Sequence, residues 1–318
     1  MELVFTEDNE YARDTHPQQD ALEQALGRLY GVGDNARVAP SGLAAIAAVL
    51  HSFVQRQPDG LIWTLDELYD ETWALLGTLP HRAAADFSEL ARATDAPALL
   101  LVEACSNPHG RIPDFDRIAQ LRRDCPHDFY LVVDNTWLSS AVCNPLEAMG
   151  ADLVVASLTK YYSGGGAIAG ALLSASSGLF IAAADWLSLN GQHVSPYNCQ
   201  RILERLPSLE QRVGASSART TALLALLAER NVPVQHPLLA QPTLAARYFR
   251  RVDGHLRVPS VLLLERGAPR HSAIAERTSY GGKEDRIERY GAAARLALGY
   301  DAQLGVEALA ALLDPESN

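Results

Sequence analysis

The chain has 318 residues, 48% of them hydrophobic and 20% charged, which fits a globular protein with a large core and excludes a disordered chain. Its formal charge of −11 excludes nucleic acid as the natural partner, because phosphate backbones are bound by basic surfaces. The opening "MELVFTEDNEY" has no basic stretch followed by an apolar one, and no run approaches membrane-spanning length, so a cytoplasmic protein without membrane contact is expected.

In chain order, "APSGLAAIAAVLHSF" reads as a helix with Ser41 near its start and an apolar body. "ALLLVEA" (98–104), "FYLVVDN" (129–135) and "ADLVVAS" (151–157) are short continuous apolar runs, the signature of strands buried on both faces. Between the first two, "PDFDRIAQLRRD" places Phe115, Ile118, Ala119 and Leu121 at helical spacing, which makes βαβ units and predicts a parallel sheet. From about residue 195 the pattern turns helical, through "PYNCQRILERL" and "SLEQRVGASSARTTALLALLAER". The run "VPSVLLLE" and an amphipathic "GVEALAALLD" follow. The expected organisation is an α/β chain in three parts: an N-terminal segment (1–34), a large domain (35–190) and a smaller C-terminal α/β or α+β domain (191–318). Cys105, Cys125, Cys143 and Cys199 lack paired spacing, so reduced structural thiols are expected, with neither a disulfide framework nor a metal site.

In an open parallel sheet, ligands gather at the carboxyl ends of the strands. The three apolar runs end at Glu103, at Asp134, and at Ser157 with Lys160 just beyond, in "SLTKYYSGGG". A structural ion pair would explain one carboxylate and one lysine. The wider set fits something more specific. A lysine that carries pyridoxal phosphate as a Schiff base needs a carboxylate on the pyridine nitrogen, an aromatic face against the ring and donors for the phosphate. Asp134 can be the carboxylate and Tyr69 the ring. Ser157, Thr159 and the helix start at Ser41, Gly42 and Leu43 offer phosphate donors. The glycines after Lys160 lack a nucleotide loop's Gly-Lys-Ser/Thr ending, and "YGVGDN" has too few glycines for a dinucleotide fingerprint.

Taken together, "YARDTHP", "PSGLAAI", "LYDETW", "VEACSNP", "VVDNTWLSS", "SLTKYYSGG", "TSYGGKE" and "ARLALG" resemble, in the same order, the motifs of the cysteine/methionine-metabolism (trans-sulfuration) pyridoxal-phosphate enzymes of fold type I. The resemblance runs from about Tyr11 almost to the last residue, and the order of eight motifs makes it specific. It implies a fold type I architecture: a mainly parallel sheet flanked by helices, with a smaller C-terminal domain. It also implies a lyase or transferase acting on an amino acid with a leaving group at Cγ or Cβ. In that family's pattern Lys160 holds the cofactor, Asp134 pairs with its pyridine nitrogen, and Tyr69 stacks on the ring and serves as acid or base at the leaving group. Ser41, Gly42, Leu43, Ser157 and Thr159 bind phosphate. Tyr11 and Arg13 reach the phosphate of a neighbouring subunit, which makes a homodimer the smallest complete unit. Asn107 and Arg295 fix the cofactor's 3-oxygen region and the substrate carboxylate, and Ser279 lies near the lysine.

For Tyr69 a half-buried core ring, and for Arg295 a surface cation, remain the alternatives. The chain departs from the family pattern at four places. Little sequence precedes Tyr11, which leaves a tetramer-tying arm largely absent. The segment 282–294, between "YGG" and "RLALG", is short, which implies a more open or differently covered pocket. Gly165 stands where family members carry a histidine. Finally, Asp70 and Glu71 follow Tyr69 where the family has small residues. Either Glu71 or Asp70 faces the distal end of the substrate and favours a cationic or hydrogen-bond-donating group there, or both are solvated turn residues. Other chemistry on the same scaffold, such as β-elimination, racemisation or aldol cleavage, and a non-catalytic cofactor-binding homologue are the alternative functional readings.

Overall fold

The computed structural model describes residues 15–65, 67–176 and 178–314. Its centre is a seven-stranded sheet: β1 (Ala36–Ala39), β2 (Leu61–Leu65), β3 (His81–Ala84), β4 (Ala98–Glu103), β5 (Phe129–Asp134), β6 (Leu153–Ser157) and β7 (Gly170–Ser174). The strand order is β1-β7-β6-β5-β4-β2-β3. The expected parallel core is present from β3 to β6, while β7 runs antiparallel to both its neighbours. β7 follows β6 after segment 158–169, a series of turns with no helix to carry the chain back for a parallel crossover.

The apolar runs are continuous because the sheet is covered on both faces. Successive side chains of a strand point to opposite faces, so each strand feeds two clusters. Leu99, Leu101, Val132 and Val155 pack with the helices α1 (Gly42–Arg56) and α2 (Gly178–Leu189). Leu100, Val102, Leu131, Val133 and Val154 pack on the other side, with Phe115 and Ile118 of the helix Phe115–Asp124 and with Leu22 and Leu26 of Pro17–Tyr30. Each fully buried Val or Leu side chain contributes roughly 1.5–3 kcal/mol.

After the helices Pro196–Arg205 and Leu209–Glu229 comes a second, five-stranded sheet. Its strands are β8 (Val234–Gln235), β11 (Val261–Leu264), β12 (Ala275–Glu276), β13 (Arg286–Tyr290) and β14 (Ala293–Ala297), in the order β12-β13-β14-β11-β8, with a small hairpin β9 (Arg251–Val252) and β10 (His255–Leu256) beside it. Apart from the parallel β12–β13 pair it is antiparallel, an α+β arrangement. Leu223, Leu224 and Leu227 from the long helix, and Leu309 and Leu313 from the last one (Val306–Leu313), cover one face of it with Leu262, Leu264 and Leu296. Among the described residues no helix is long and apolar enough to cross a membrane.

Candidate active site

The carboxyl ends of β4, β5 and β6, the start of α1 and the C-terminal sheet enclose a cavity of about 380 Å³. Its floor follows from the register. Glu103 lies beside Asp134, and Asp134 beside Val155, so the end of β6 and the segment after it stand next to two carboxylates. Lys160 rises from the turn after β6. Its Nζ donates to Ser279 Oγ at 3.1 Å and lies 5.3 Å from the centre of the Tyr280 ring. Burial, reinforced by the nearby positive charges of Arg295 and Arg286, pushes its amine below the ordinary lysine value. That shift enlarges the neutral fraction, the form that attacks a carbonyl.

Asp134 accepts the Thr136 N–H at 2.8 Å through Oδ1; burial raises its carboxyl above the usual range, and the Thr136 hydrogen bonds oppose the rise. Glu103, fully enclosed, is pushed up further by burial and then by Asp134. It accepts the Tyr69 N–H at 2.7 Å, so it ties the sheet edge to the turn that carries Tyr69. The bond gives Glu103 a structural place at the site.

Phosphate-binding geometry is built at α1. Ser41 caps the helix by accepting the Ala44 N–H at 3.1 Å, and the leading N–H groups of Gly42 and Leu43 have no acceptor within the helix. Glycine is required for the close packing that brings this terminus to the sheet. A Cβ on Gly42 would meet Ser157 Cβ at 3.1 Å, and one on Gly170 would lie 2.2 Å from the Ser41 carbonyl oxygen. Ser157 and Thr159 line the same wall. An N-terminal helix dipole with free N–H groups beside two hydroxyls suits a phosphate monoester. Asp134 and Lys160 lie at the same cavity. The donor set therefore fits pyridoxal phosphate.

The opposite wall comes from the C-terminal sheet. Arg295 on β14 donates from Nη1 to Asn107 Oδ1 at 2.8 Å and from Nη2 to Thr278 Oγ1 at 3.2 Å and to Glu288 Oε2. Its guanidinium carbon lies 5.9 Å from the centre of the Tyr280 ring and 5.8 Å from that of Tyr290, and its side chain is 6% exposed. Tyr69, 44% exposed, stands at the mouth. Burial, and then a hydrogen bond to Glu71, push its hydroxyl up to about 12.

The described residues expected at the site from sequence are gathered here, except that of the two acidic residues after Tyr69 only Glu71, not Asp70, lines the cavity. Ser41, Gly42 and Leu43 line the cavity from α1, and Ser157, Thr159 and Lys160 line it from the end of β6 and the turn after it. Tyr69, Glu71, Asn107, Asp134 and Arg295 complete the lining, while Ser279 joins through its bond to Lys160. Tyr11 and Arg13 lie outside the described residues. Sequence reasoning missed Thr278, Tyr280 and Trp137 on the lining, and Glu288 and Arg286 behind it. The aromatic character of Tyr280, next to Ser279, is a usable signal; nothing local marks Glu288. The Arg286 guanidinium lies 3.7 Å from where a Cβ on Gly165 would sit, so a cation stands beside this glycine. Arg212, from the helix Leu209–Glu229, donates to the carbonyls of Tyr161 and Tyr162 at 2.6 and 3.1 Å and so holds the turn after Lys160.

Comparisons with known proteins agree with this geometry. Residues 4–258 match the model of the Cys/Met metabolism PLP-dependent enzyme family. The chain is 30% identical to cystathionine gamma-synthase of Escherichia coli (strain K12) over 245 residues, covering 73% of this chain and 62% of that protein. It is 33% identical to cystathionine beta-lyase MetC of Staphylococcus haemolyticus over 233 residues, covering 70% and 57%. The matches thus span about three-fifths of the length of these relatives. The crystal structure of cystathionine gamma synthase from Xanthomonas oryzae pv. oryzae, in complex with aminoacrylate and cysteine, superposes with a TM-score of 0.81 at 25% identity. It covers 95% of this chain and 86% of that one. The fold is that of the fold type I enzymes, and the chain belongs to the Cys/Met metabolism family of pyridoxal-phosphate-dependent enzymes.

Proposed function

We propose that the protein is a pyridoxal-phosphate-dependent lyase or transferase that eliminates or replaces a substituent at Cγ or Cβ of an amino acid. The observation that carries the reading is the cavity itself, in which a lysine amine held below its ordinary pKa shares one space with Asp134, the start of α1 and Arg295. The names of its relatives, a γ-synthase and a β-lyase, support it.

In this reading Lys160 carries the cofactor and Asp134 pairs with its ring nitrogen. Gly42, Leu43, Ser41, Ser157 and Thr159 hold its phosphate, and Tyr69 stacks on its face. Bound there, pyridoxal phosphate supplies an electron sink for negative charge at the substrate Cα. Lys160 Nζ then moves a proton at Cα, and for γ-chemistry a second one at Cβ, with Ser279 Oγ fixing its position. Asn107 would hold the cofactor's 3-oxygen region, and Arg295 would orient the substrate carboxylate. Tyr69, with its hydroxyl pushed up to about 12, stays protonated at neutral pH. It therefore serves the leaving group as an acid or hydrogen-bond donor rather than as a base. Leaving groups that gain from such a donor are thiolate, acyloxy and halide.

Glu71, at the mouth with Tyr69, would favour a cationic or hydrogen-bond-donating distal group on the substrate. The active unit in this proposal is a homodimer or larger assembly, with Tyr11 and Arg13 of a second copy reaching the phosphate. The division at residues 34 and 190 is likewise proposed; the C-terminal sheet has an apolar cluster of its own from Leu223 onward, while Leu22, Leu26, Cys199 and Ile202 pack with the large domain. Four unpaired thiols suit a reducing compartment, and the cytoplasm is the proposed location.

Proton NMR in heavy water, with the cofactor-loaded protein and a panel of amino acids, tests the reaction. The expected outcome is deuterium exchange at both Cα and Cβ with loss of a γ-substituent. Exchange at Cα alone would give β-elimination or racemisation, and no exchange or product with any panel member would overturn the enzymatic reading.

A further inference from the structure

We infer that Glu288 is a built-in competitor for the substrate carboxylate, holding Arg295 until an incoming carboxylate displaces it; the inference rests on the reading of Arg295 given above. Glu288 and Arg295 are directly opposed across β13 and β14. The pair is reinforced on both sides. Thr278 Oγ1 donates to Glu288 Oε2 at 2.9 Å, and the Tyr290 ring, two residues along the same strand face as Glu288, has its centre 5.8 Å from the Arg295 guanidinium carbon. Arg295 Nη2 is thus committed to Thr278 and Glu288 while Nη1 is committed to Asn107.

A two-pronged grip on a substrate carboxylate needs two N–H donors that lie side by side in the guanidinium plane. Both N–H groups of Nη2 and one of Nη1 are engaged and the side chain is 6% exposed, so a carboxylate gripped across Nη1 and Nη2 cannot simply be added beside Glu288. It must take the place of Glu288. That side chain is 29% exposed and its neighbour Tyr290 stands 41% exposed at the surface, so Glu288 has solvent into which to swing. Unlike Asn107 and Thr278, it carries the same charge and the same acceptor geometry as the ligand, which makes it a substitute for the ligand rather than a partner to it.

The consequence is a selectivity that carboxylate recognition alone would not give. A bare carboxylate exchanges one ion pair for another and gains little. An α-amino acid exchanges the same pair but also engages its amine at the Lys160 end of the cavity. The site therefore favours ligands that carry both groups, and a product that has lost its amine is released as Glu288 returns to Arg295.

Glu288→Gln keeps the shape and hydrogen bonding and removes the charge; Glu288→Ser removes the reach as well and guards against a folding artefact in either variant. In the pyridoxal-phosphate-loaded protein, propionate binding is measured by calorimetry, and glycine and methylamine binding by the visible absorbance. Both variants should bind propionate and glycine on the order of ten-fold more tightly than the parent, the size of one charge-assisted hydrogen bond, and methylamine equally well. Unchanged or weaker propionate binding in both variants would overturn the inference, because Glu288 would then be supporting Arg295 rather than competing for it. If glycine and methylamine leave the absorbance of every protein unchanged, the reading of Lys160 fails, while the propionate comparison still decides the role of Glu288.

Discussion

The two walls of the cavity are built by different means. The floor consists of strand ends and a helix start, its groups fixed by sheet register and glycine-tight packing: Glu103 against Asp134, Gly42 against Ser157, Gly170 against the Ser41 carbonyl. The facing wall consists of side chains from an antiparallel sheet and the segment before its strand β13, Arg295, Glu288, Thr278 and Tyr280, held by one another through hydrogen bonds and ring contacts. The floor can be disturbed only by moving backbone. The wall can be rearranged by rotating side chains. In the proposed function, chemistry common to many substrates would belong to the floor, and the choice among substrates to the wall.

Substitutions on either side break or sharpen that contrast. Lys160→Ala, on the floor, should abolish the visible absorbance of the cofactor-loaded protein and lower turnover on the order of 10⁴-fold, through loss of the proton carrier as well as the anchor. A retained band would remove Lys160 from its place in the mechanism. On the wall, Arg295→Lys should raise KM for the amino-acid substrate on the order of 10²-fold while leaving cofactor absorbance intact, because an ammonium has no planar fork. A fall in cofactor affinity instead would move Arg295 to the floor.

Gly281→Ala tests the join between the two. The residue has φ +78°, and a Cβ there would lie 2.7 Å from the Tyr161 nitrogen and 2.8 Å from the Lys160 carbonyl carbon. A loss of roughly 2–3 kcal/mol in urea unfolding is expected. Unchanged stability would mean that the C-terminal sheet can back away from the lysine. The smallest effect is reserved for the mouth. Glu71→Gln removes the carboxylate that, after burial, does most to raise the Tyr69 hydroxyl, so its pKa should fall from about 12 toward the ordinary tyrosine value of 10.0. The protonated form is then lost at lower pH, and the alkaline limb of the pH–rate profile should move down. A limb that stays in place would separate Tyr69 from the rate.

The same contrast governs how much of the molecule is legible in its sequence. Buried parallel strands announce themselves as unbroken apolar runs, so β4, β5 and β6 and the residues at their ends, Glu103, Asp134 and Ser157, can be read directly, as can the Ser41 cap. The strand β7 cannot, because "GALLS" is too short to declare its direction, and nothing in the turns of 158–169 announces the reversal. The individual strands of the C-terminal sheet are less legible still. β13, "RIERY", alternates weakly around Ile287 and carries its charges for use across the sheet, so the opposition of Glu288 to Arg295 depends on a register that no local pattern encodes. The approach of Arg286 to Gly165 is equally hidden, since it joins residues far apart in sequence.

The grip of Arg212 on the carbonyls of Tyr161 and Tyr162 also bears on how the protein comes into being. Those acceptors follow directly after Lys160, yet their donor lies on a helix about fifty residues later in the chain. Leaving a buried acceptor unpaired costs about 1–3 kcal/mol. Synthesis of the first six strands therefore does not finish the site. The lysine's turn is completed only when the long helix docks, so capture of the cofactor can serve as a report that folding has passed that point.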